Sequence, residues 1–308
     1  MKKFFAIIAS AFIFCTLSSA ETFQKDEQLT MFNAIEASNA FQVNVKHGSD
    51  YSVHLVVDKR VEDFYTVFLN GGTLVLGINE KEYTKEVVKK IFKQKDTSPL
   101  VLMATVYIPQ DAEINSIKLE NSAILTSDIT FNSKHNFNIE TNETSAVKGV
   151  TIQANSLNVK TKKKSTVTAS VNSSETSLIT ENSSIVDITL TGNNLNATSE
   201  NLSQLTVSGT VPEVKVNASG SSKQVVKTTT DLLFVAAKGN SDIDAKEASI
   251  TNAVVELVSA SCSVKPLQSL VINASNNAKL VFDGNPVITI QKINNSTVLP
   301  ASEVKNKK

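Results

Sequence analysis

Residues 157–169 read Leu157-Asn-Val159-Lys-Thr161-Lys-Lys-Lys-Ser165-Thr-Val167-Thr-Ala169: small or apolar side chains at positions 1, 3 and 5, a three-residue break, then the same at 9, 11 and 13. Alternation of period two marks strands that bury one face. The frame returns at Thr176, Leu178, Thr180, Ser184, Val186, Ile188, then at Leu195, Ala197, Ser199, Ser203, Leu205, Val207. It returns again at Val214, Val216, Ala218, Ser222, Gln224, Val226, and at Leu233, Val235, Ala237, Ser241, Ile243, Ala245. Ser165, Ser184, Ser203, Ser222 and Ser241 stand 19 residues apart at every step. Serine is abundant in this chain, so the weight lies in six positions keeping phase over five units.

The period extends outward. Phe137, Ile139, Thr141, Ser145 and Val147 form the preceding unit at a spacing of 20. Val255, Leu257, Ser259 and Ser263 follow after a step of 22, and Leu270, Ile272, Ala274, Ala278, Leu280 and Phe282 after a step of 15, together close to two periods. Nineteen residues are too few for a hairpin and a helix. Each unit therefore supplies two short strands and stacks on the next as one coil of a parallel β-helix. At about 4.8 Å per coil, residues 115–290 give about nine coils over roughly 40 Å. Val159, Leu178, Val216, Val235 and Leu257 are expected in one inward stack. Gln224 and Lys265 interrupt the apolar columns and read as a coil distortion or an outward turn.

The serine column invites a catalytic reading, yet no His, Asp or Lys repeats beside it to act as base. It reads as lining for a narrow lumen, its hydroxyls bonded to backbone or to one another.

Before the repeat the pattern differs. Phe32–Ala37, Phe41–Val45, Val53–Val57, Thr66–Leu69 and Leu74–Leu76 read as strands, with Gly71-Gly72 as a hairpin turn. All four Tyr, and Phe23, Phe32, Phe41, Phe64, Phe68 and Phe92, lie before residue 111. A bulky aromatic core at one end suits a cap, since an uncovered first coil would present an open edge. Residues 80–96 carry Tyr83, Val87, Val88, Ile91 and Phe92 at helical spacing among lysines, the stripe of a helix packed on its own sheet or, as the alternative, of an amphipathic helix for membrane or partner contact. Leu102–Ile108 restores the strand pattern. The organisation expected is thus residues 1–20 a signal peptide, 21–112 an N-terminal β cap with a helical insert near 80–96, 113–300 the β-helix, and 301–308 a mobile tail.

Residues 1–20, MKKFFAIIASAFIFCTLSSA, show two lysines, an apolar run too short to span a bilayer, and small residues before Glu21. This is the pattern of a cleavable export signal. Cys15 follows the bulky Phe14, which does not suit lipid attachment. Cys262 then remains alone, so no internal disulfide forms and an exported chain is held by its core. His47, His54 and His135 show no metal-ligand spacing. The 30 Lys+Arg balance 30 Asp+Glu, giving no electrostatic case for nucleic acid. With 29 Asn, no Trp and Arg60 as the one arginine, the chain is poor in the groups that build anion sites and aromatic platforms.

The runs FNAIEASNAFQVNVKHGSDYSVHLVV, NGGTLVLGI, VYIP and SIKLENSAIL, in that order, resemble the putative auto-transporter adhesin, head GIN domain family, a domain of unknown function in exported bacterial proteins. The resemblance covers roughly residues 31–245. It implies a right-handed parallel β-helix and an adhesin-like or cell-envelope role, and it carries no catalytic residues. Family members commonly turn their corners with a Ser-Gly-Ser type sequence. Here Lys162-Lys163-Lys164 and Glu181-Asn182-Ser183 stand instead.

The function expected is a non-enzymatic, exported cell-envelope or surface binding module that uses a solenoid face. A structural envelope scaffold is the alternative. A polysaccharide lyase or hydrolase is a weaker one, because Asp187, Asp242 and Asp244 form no acid cluster in phase and the solenoid holds no arginine. The partner would be a glycan, a surface polymer or an envelope protein, met by corner residues such as Lys162–Lys164, Asn182 and Asn201. Those corners also look like any solvated turn, so no catalytic, cofactor, metal or ligand-binding residue is assigned.

Overall fold

The computed structural model describes residues 21–79, 81–82, 84–86 and 99–304. The export-signal pattern at 1–20, the stripe residues Tyr83, Val87, Val88, Ile91 and Phe92, and residues 305–308 lie outside them. The protein is nearly all-β, a parallel β-solenoid of about ten turns with ~19 residues per coil.

Before the repeats stand β1 (Thr22–Gln28), β2 (Ala34–Ala37), β3 (Gln42–His47), β4 (Ser52–Asp58), β5 (Tyr65–Asn70), β6 (Thr73–Ile78) and β7 (Leu102–Ile108). The coils that follow are β8 (Ser116–Leu119), β9 (Ile124–Ser127), β10 (Thr130–Thr141), β11 (Ala146–Thr161), β12 (Thr166–Thr180), β13 (Ile185–Thr191), β14 (Asn194–Ser199) and β15 (Gln204–Thr210). They continue through β16 (Glu213–Ala218), β17 (Lys223–Lys238), β18 (Asp242–Val258), β19 (Ser261–Ser275), β20 (Lys279–Phe282), β21 (Val287–Asn294) and β22 (Thr297–Pro300), and one helical turn, Ala301–Val304, closes the described chain.

Parallel pairing one coil apart satisfies the backbone of both walls. The inward stack runs Ile139, Val159, Leu178, Ala197, Val216, Val235, Val255, Ile272 in continuous register, and all of these are buried. Leu257 is not in it: it pairs with Ala237, one column over, and Val255 takes the place beside Val235. The units around residue 255 are therefore 20 and 17 residues apart rather than 22 and 15, and Ala260 follows Ser241 in the serine column. A slip of two residues keeps every side chain on the same face, so alternation alone could not detect it. Lys265 accordingly never belonged to a column; it is exposed and pairs with Asp283 at 3.4 Å. Gln224 corrects the other expectation: it keeps register between Leu205 and Ile243 and points inward, buried. Its amide donates to Ser199 Oγ (2.8 Å) and Asn217 O (2.7 Å).

The same coil geometry begins before residue 112. β2 pairs parallel with β8, and β3 with β9, so Ile35 sits over Ile117 and Val43 over Leu125. On the far side of that rung lie β6 and β7, also parallel to β2 and β3. One continuous run of pairing thus crosses the change in composition. Antiparallel strands shut the end: β5 covers β6, β4 covers β7, and β1 covers β4 with Lys25, Asp26 and Glu27 along its length. Charges on a terminal strand discourage further pairing. Here the aromatics gather, Phe23 against Tyr65 (5.4 Å between centroids) and Phe32 against Tyr51 (5.1 Å). Arg60 clamps the buried Asp58 through its side chain (2.9 and 2.6 Å) and its backbone N–H. Burial pushes the Asp58 carboxyl up, but the Arg60 hydrogen bonds and charge outweigh it and hold the group below the usual range.

The corners answer the missing glycines. Lys163 and Lys164 take φ of 51° and 65°, Asn182 and Ser183 55° and 63°, Asn201 and Leu202 53° and 68°. Each of these three corners is a left-handed two-residue turn made by ordinary residues, a conformation asparagine tolerates best. Stacking supports it: the N–H of Thr144, Lys164 and Ser183 donates to the carbonyl of Lys163, Asn182 and Asn201 one coil on, at 3.0–3.1 Å.

Candidate functional site

The serine column faces the lumen. Ser165, Ser184, Ser203, Ser222 and Ser241 are all buried. Ser203 Oγ donates to Thr180 O (2.8 Å), Ser222 to Ser199 O (3.0 Å) and Ser241 to Lys238 O (2.9 Å). These bonds run to the backbone, none between serines. Ser165 and Ser184 find no partner, and neither do Thr161 and Thr180 beside them, so the expected satisfaction of every hydroxyl holds for three of the five. Ser203→Ala should cost about 1 kcal/mol, while Ser165→Ala should be neutral or slightly stabilising. Chemical denaturation of the two single variants checks this; equal losses would mean that Ser165 is bonded after all. A buried hydroxyl with no base beside it cannot meet a substrate. Cys262 fills the same lumen, and burial pushes its thiol far up, leaving it without thiolate character.

Of the three acids weighed from the sequence, Asp187 stands apart from Asp242 and Asp244, which lie two residues apart on the outward face of one strand. Asp187 and Asp244 share one outward row three coils apart, roughly 14 Å at the coil spacing. Asp242 accepts from Ser261 Oγ (2.5 Å) and Asp244 pairs with Lys246 (3.0 Å). Among the described residues no group of three or more His, Cys, Asp or Glu could hold a metal ion.

What the surface does offer is a groove along the corner. Just before each turn, one outward row runs Glu36, Lys118, Glu140, Lys160, Ile179, Thr198, Asn217, Ala236, Glu256 in unbroken register. A second row, two residues on, begins the turn with Glu120, Asn142, Lys162, Glu181, Glu200, Ser219 and Lys238, each of the first six tied by its N–H to the preceding coil. Between the rows the chain curls, and the surface is concave. One stretch of about 310 Å³ is lined by Lys118, Glu140, Asn142, Lys160, Lys162 and Lys163 among others. Another of about 290 Å³ is lined by Thr198, Glu200, Asn217, Ser219, Ala236, Lys238 and Glu256. Ile179 and Glu181 lie between them.

The first stretch is charged but internally paired: Lys118 with Glu36 (2.9 Å), Lys162 with Glu181 (2.9 Å), Lys163 with Glu143 (2.7 Å). The Glu36 carboxylate holds the Lys118 ammonium above the usual lysine range. The second stretch sets the charges of Glu200, Lys238 and Glu256 around Ala218, Ala236 and Ala237. Of the corner residues read from the sequence, Lys162 and Lys163 line the groove, while Asn182 and Asn201 sit on the turn beside it and bond to each other (3.4 Å). The groove itself was missed, since it follows from how the wall bends rather than from residue type. A third concavity of about 510 Å³ lies at the opposite bend, where Lys134 pairs with Glu113 (3.2 Å).

Among the described residues no helix is long and apolar enough to cross a membrane. No curated protein matches the chain. Among solved structures, it is similar to a putative adhesin from Parabacteroides merdae (11% identity, 91% of this chain and 96% of that one, TM-score 0.47). It is also similar to a putative adhesin from Parabacteroides distasonis (12%, 92% and 98%, 0.47) and to a putative lipid binding protein from the same species (14%, 91% and 96%, 0.40). The family model for the putative auto-transporter adhesin, head GIN domain matches residues 31–189 and 171–286. A match over most of its length, on coils whose register the strands confirm, places this chain in the auto-transporter adhesin head GIN domain family.

Proposed function

We propose that the protein is a non-enzymatic, exported surface or envelope binding module that holds an extended polymer, such as a glycan, along its corner groove. The groove carries this reading: its two rows keep phase over successive coils, so weak polar contacts recur at a fixed spacing and sum along a chain. The family to which it belongs supports a surface role. The buried serines, with no base beside them, favour binding over turnover.

The test is a screen of the mature protein against glycans and envelope polymers, repeated with Asn217→Ile and Ala236→Ile. Ile179 already occupies this row, so isoleucine fits the fold there. Filling the groove should weaken binding at least about tenfold, or 1.4 kcal/mol, at an unchanged melting temperature. Binding that survives both changes would move the site elsewhere, and no binding to any polymer would favour the scaffold reading.

A further inference from the structure

The outward face of the wall that leads into the corner is largely polar, but its middle column changes character part-way along. Asn158, Ser177, Asn196 and Lys215 stack in register, and the next three coils continue the column with Phe234, Val254 and Val271. Phe131 and Phe137 are buried and Phe282 packs on the core, which leaves Phe234 as the one outward aromatic of the described repeat coils. An apolar stripe on a solvated face is the kind of exception that marks a contact.

The stripe is narrow and runs along the solenoid axis for roughly 10 Å. Leu232 and Ala236 widen it at Phe234. At the two later coils it is one side chain wide, bordered by Asn252 and Ser269 on one side and by Glu256 and Asn273 on the other. The side chains of Glu256 and Asn273 have no partner among the described residues. Ala236 and Glu256 also line the second stretch of the groove, so the stripe forms its inner bank.

We infer that Phe234 is the platform on which a pyranose ring of a neutral, equatorially linked glycan stacks, a specification that rests on the groove being the polymer site. Such a ring is apolar on its faces and polar around its edge. Laid along the stripe, it sets C–H groups on Phe234 and Val254, where the aromatic quadrupole adds to apolar burial, and turns its hydroxyls toward the Glu256 carboxylate and the Asn273 carboxamide. Hydroxyls donating to a carboxylate make the stronger, charge-assisted kind of bond. Charges of both signs surround the stripe, Glu213 and Lys215 on the preceding coil and Glu256 beside it, and so favour no charged chain. Other occupants fit less well. A lipid tail would strip water from Glu256 and Asn273 and give them nothing in return. A protein strand finds no edge here, because β17 and β18 are paired on both sides, and so few apolar side chains fall short of a stable protein interface.

Calorimetric titration of the mature protein with cellohexaose and with chitohexaose, both neutral chains of equatorially linked pyranoses, should show binding of at least one. Phe234→Leu keeps an apolar side chain on the face and should weaken that binding at least tenfold at an unchanged melting temperature, while Phe234→Tyr should bind as the parent does. Binding indifferent to Phe234→Leu but lost with Asn217→Ile would overturn the platform and leave the groove standing as the polymer site. Equal loss in the Leu and Tyr variants would overturn stacking. If neither hexasaccharide binds while another polymer of the screen does, the ligand class is wrong; if no polymer binds at all, the groove reading falls together with this one.

Discussion

Leu178→Asp abolishes cooperative folding. Leu178 is wholly buried in the second inward column, between Val159 and Ala197 on the neighbouring coils. The lumen offers a carboxylate no cation at that level; the nearby hydroxyls of Thr176, Thr180 and Ser184 have no partners and are free to donate, but neutral hydroxyls do not replace the hydration that a buried charge loses. The loss of a buried leucine combines with the burial of an unpaired acid, together about 5 kcal/mol or more, on the scale of a whole domain's stability. Because each coil rests only on its neighbours, the defect splits the stack in two. The variant should be insoluble or melt without a sharp transition by circular dichroism. A soluble protein with near-native melting would mean that the walls are turned inside out.

Gly209→Ala has the next largest effect. Gly209 opposes Leu190 in the β13–β15 ladder, with φ of +115°. A Cβ there would lie 2.0 Å from Leu190 O and 2.9 Å from its carbonyl carbon. The clash is with backbone, so no side chain can move aside, and the expected cost is about 3 kcal/mol. Gly149 is the control: its φ is +63° and nothing lies within 4 Å of the added carbon, so alanine there should cost only about 1 kcal/mol of backbone strain. Urea midpoints of the two variants decide the matter. Equal losses would show that conformation rather than close approach governs both sites.

The repeats were legible because six columns repeat chemistry as well as spacing. The columns that escaped notice are those that change character along the stack. One runs Phe131, Ile152, Val171, Leu190, Gly209, Thr228, and no single property unites these residues. The rung of β2 and β3 was hidden for a related reason: Phe41 stands where later coils place serine, and the next coil arrives only after the cap. The register error at Leu257 arose where alanine, valine and leucine fill neighbouring inward positions interchangeably. Gln224 was visible as an exception, but its direction was not, since burying an amide is tolerable only where partners wait, and these are Ser199, a coil away, and the backbone carbonyl of Asn217, across the corner. The groove left no trace in composition because backbone curvature creates it.

The detour between the β2–β3 rung and the coil stacked on it also orders events in time. Coils within the repeat close loops of about 19 residues, whereas Glu36 and Lys118, adjacent in the stack, are 82 residues apart. The longer closure is just over two doublings, an extra entropic cost of about 1.3 kcal/mol, and it must be met before any contact of that rung rewards it. The later coils can therefore nucleate and propagate on local contacts. The first rung waits for residues 116–127 and for the cap strands to arrive. The end that is synthesised first is the end that locks last, and until it does the newest coils carry the stability of the molecule.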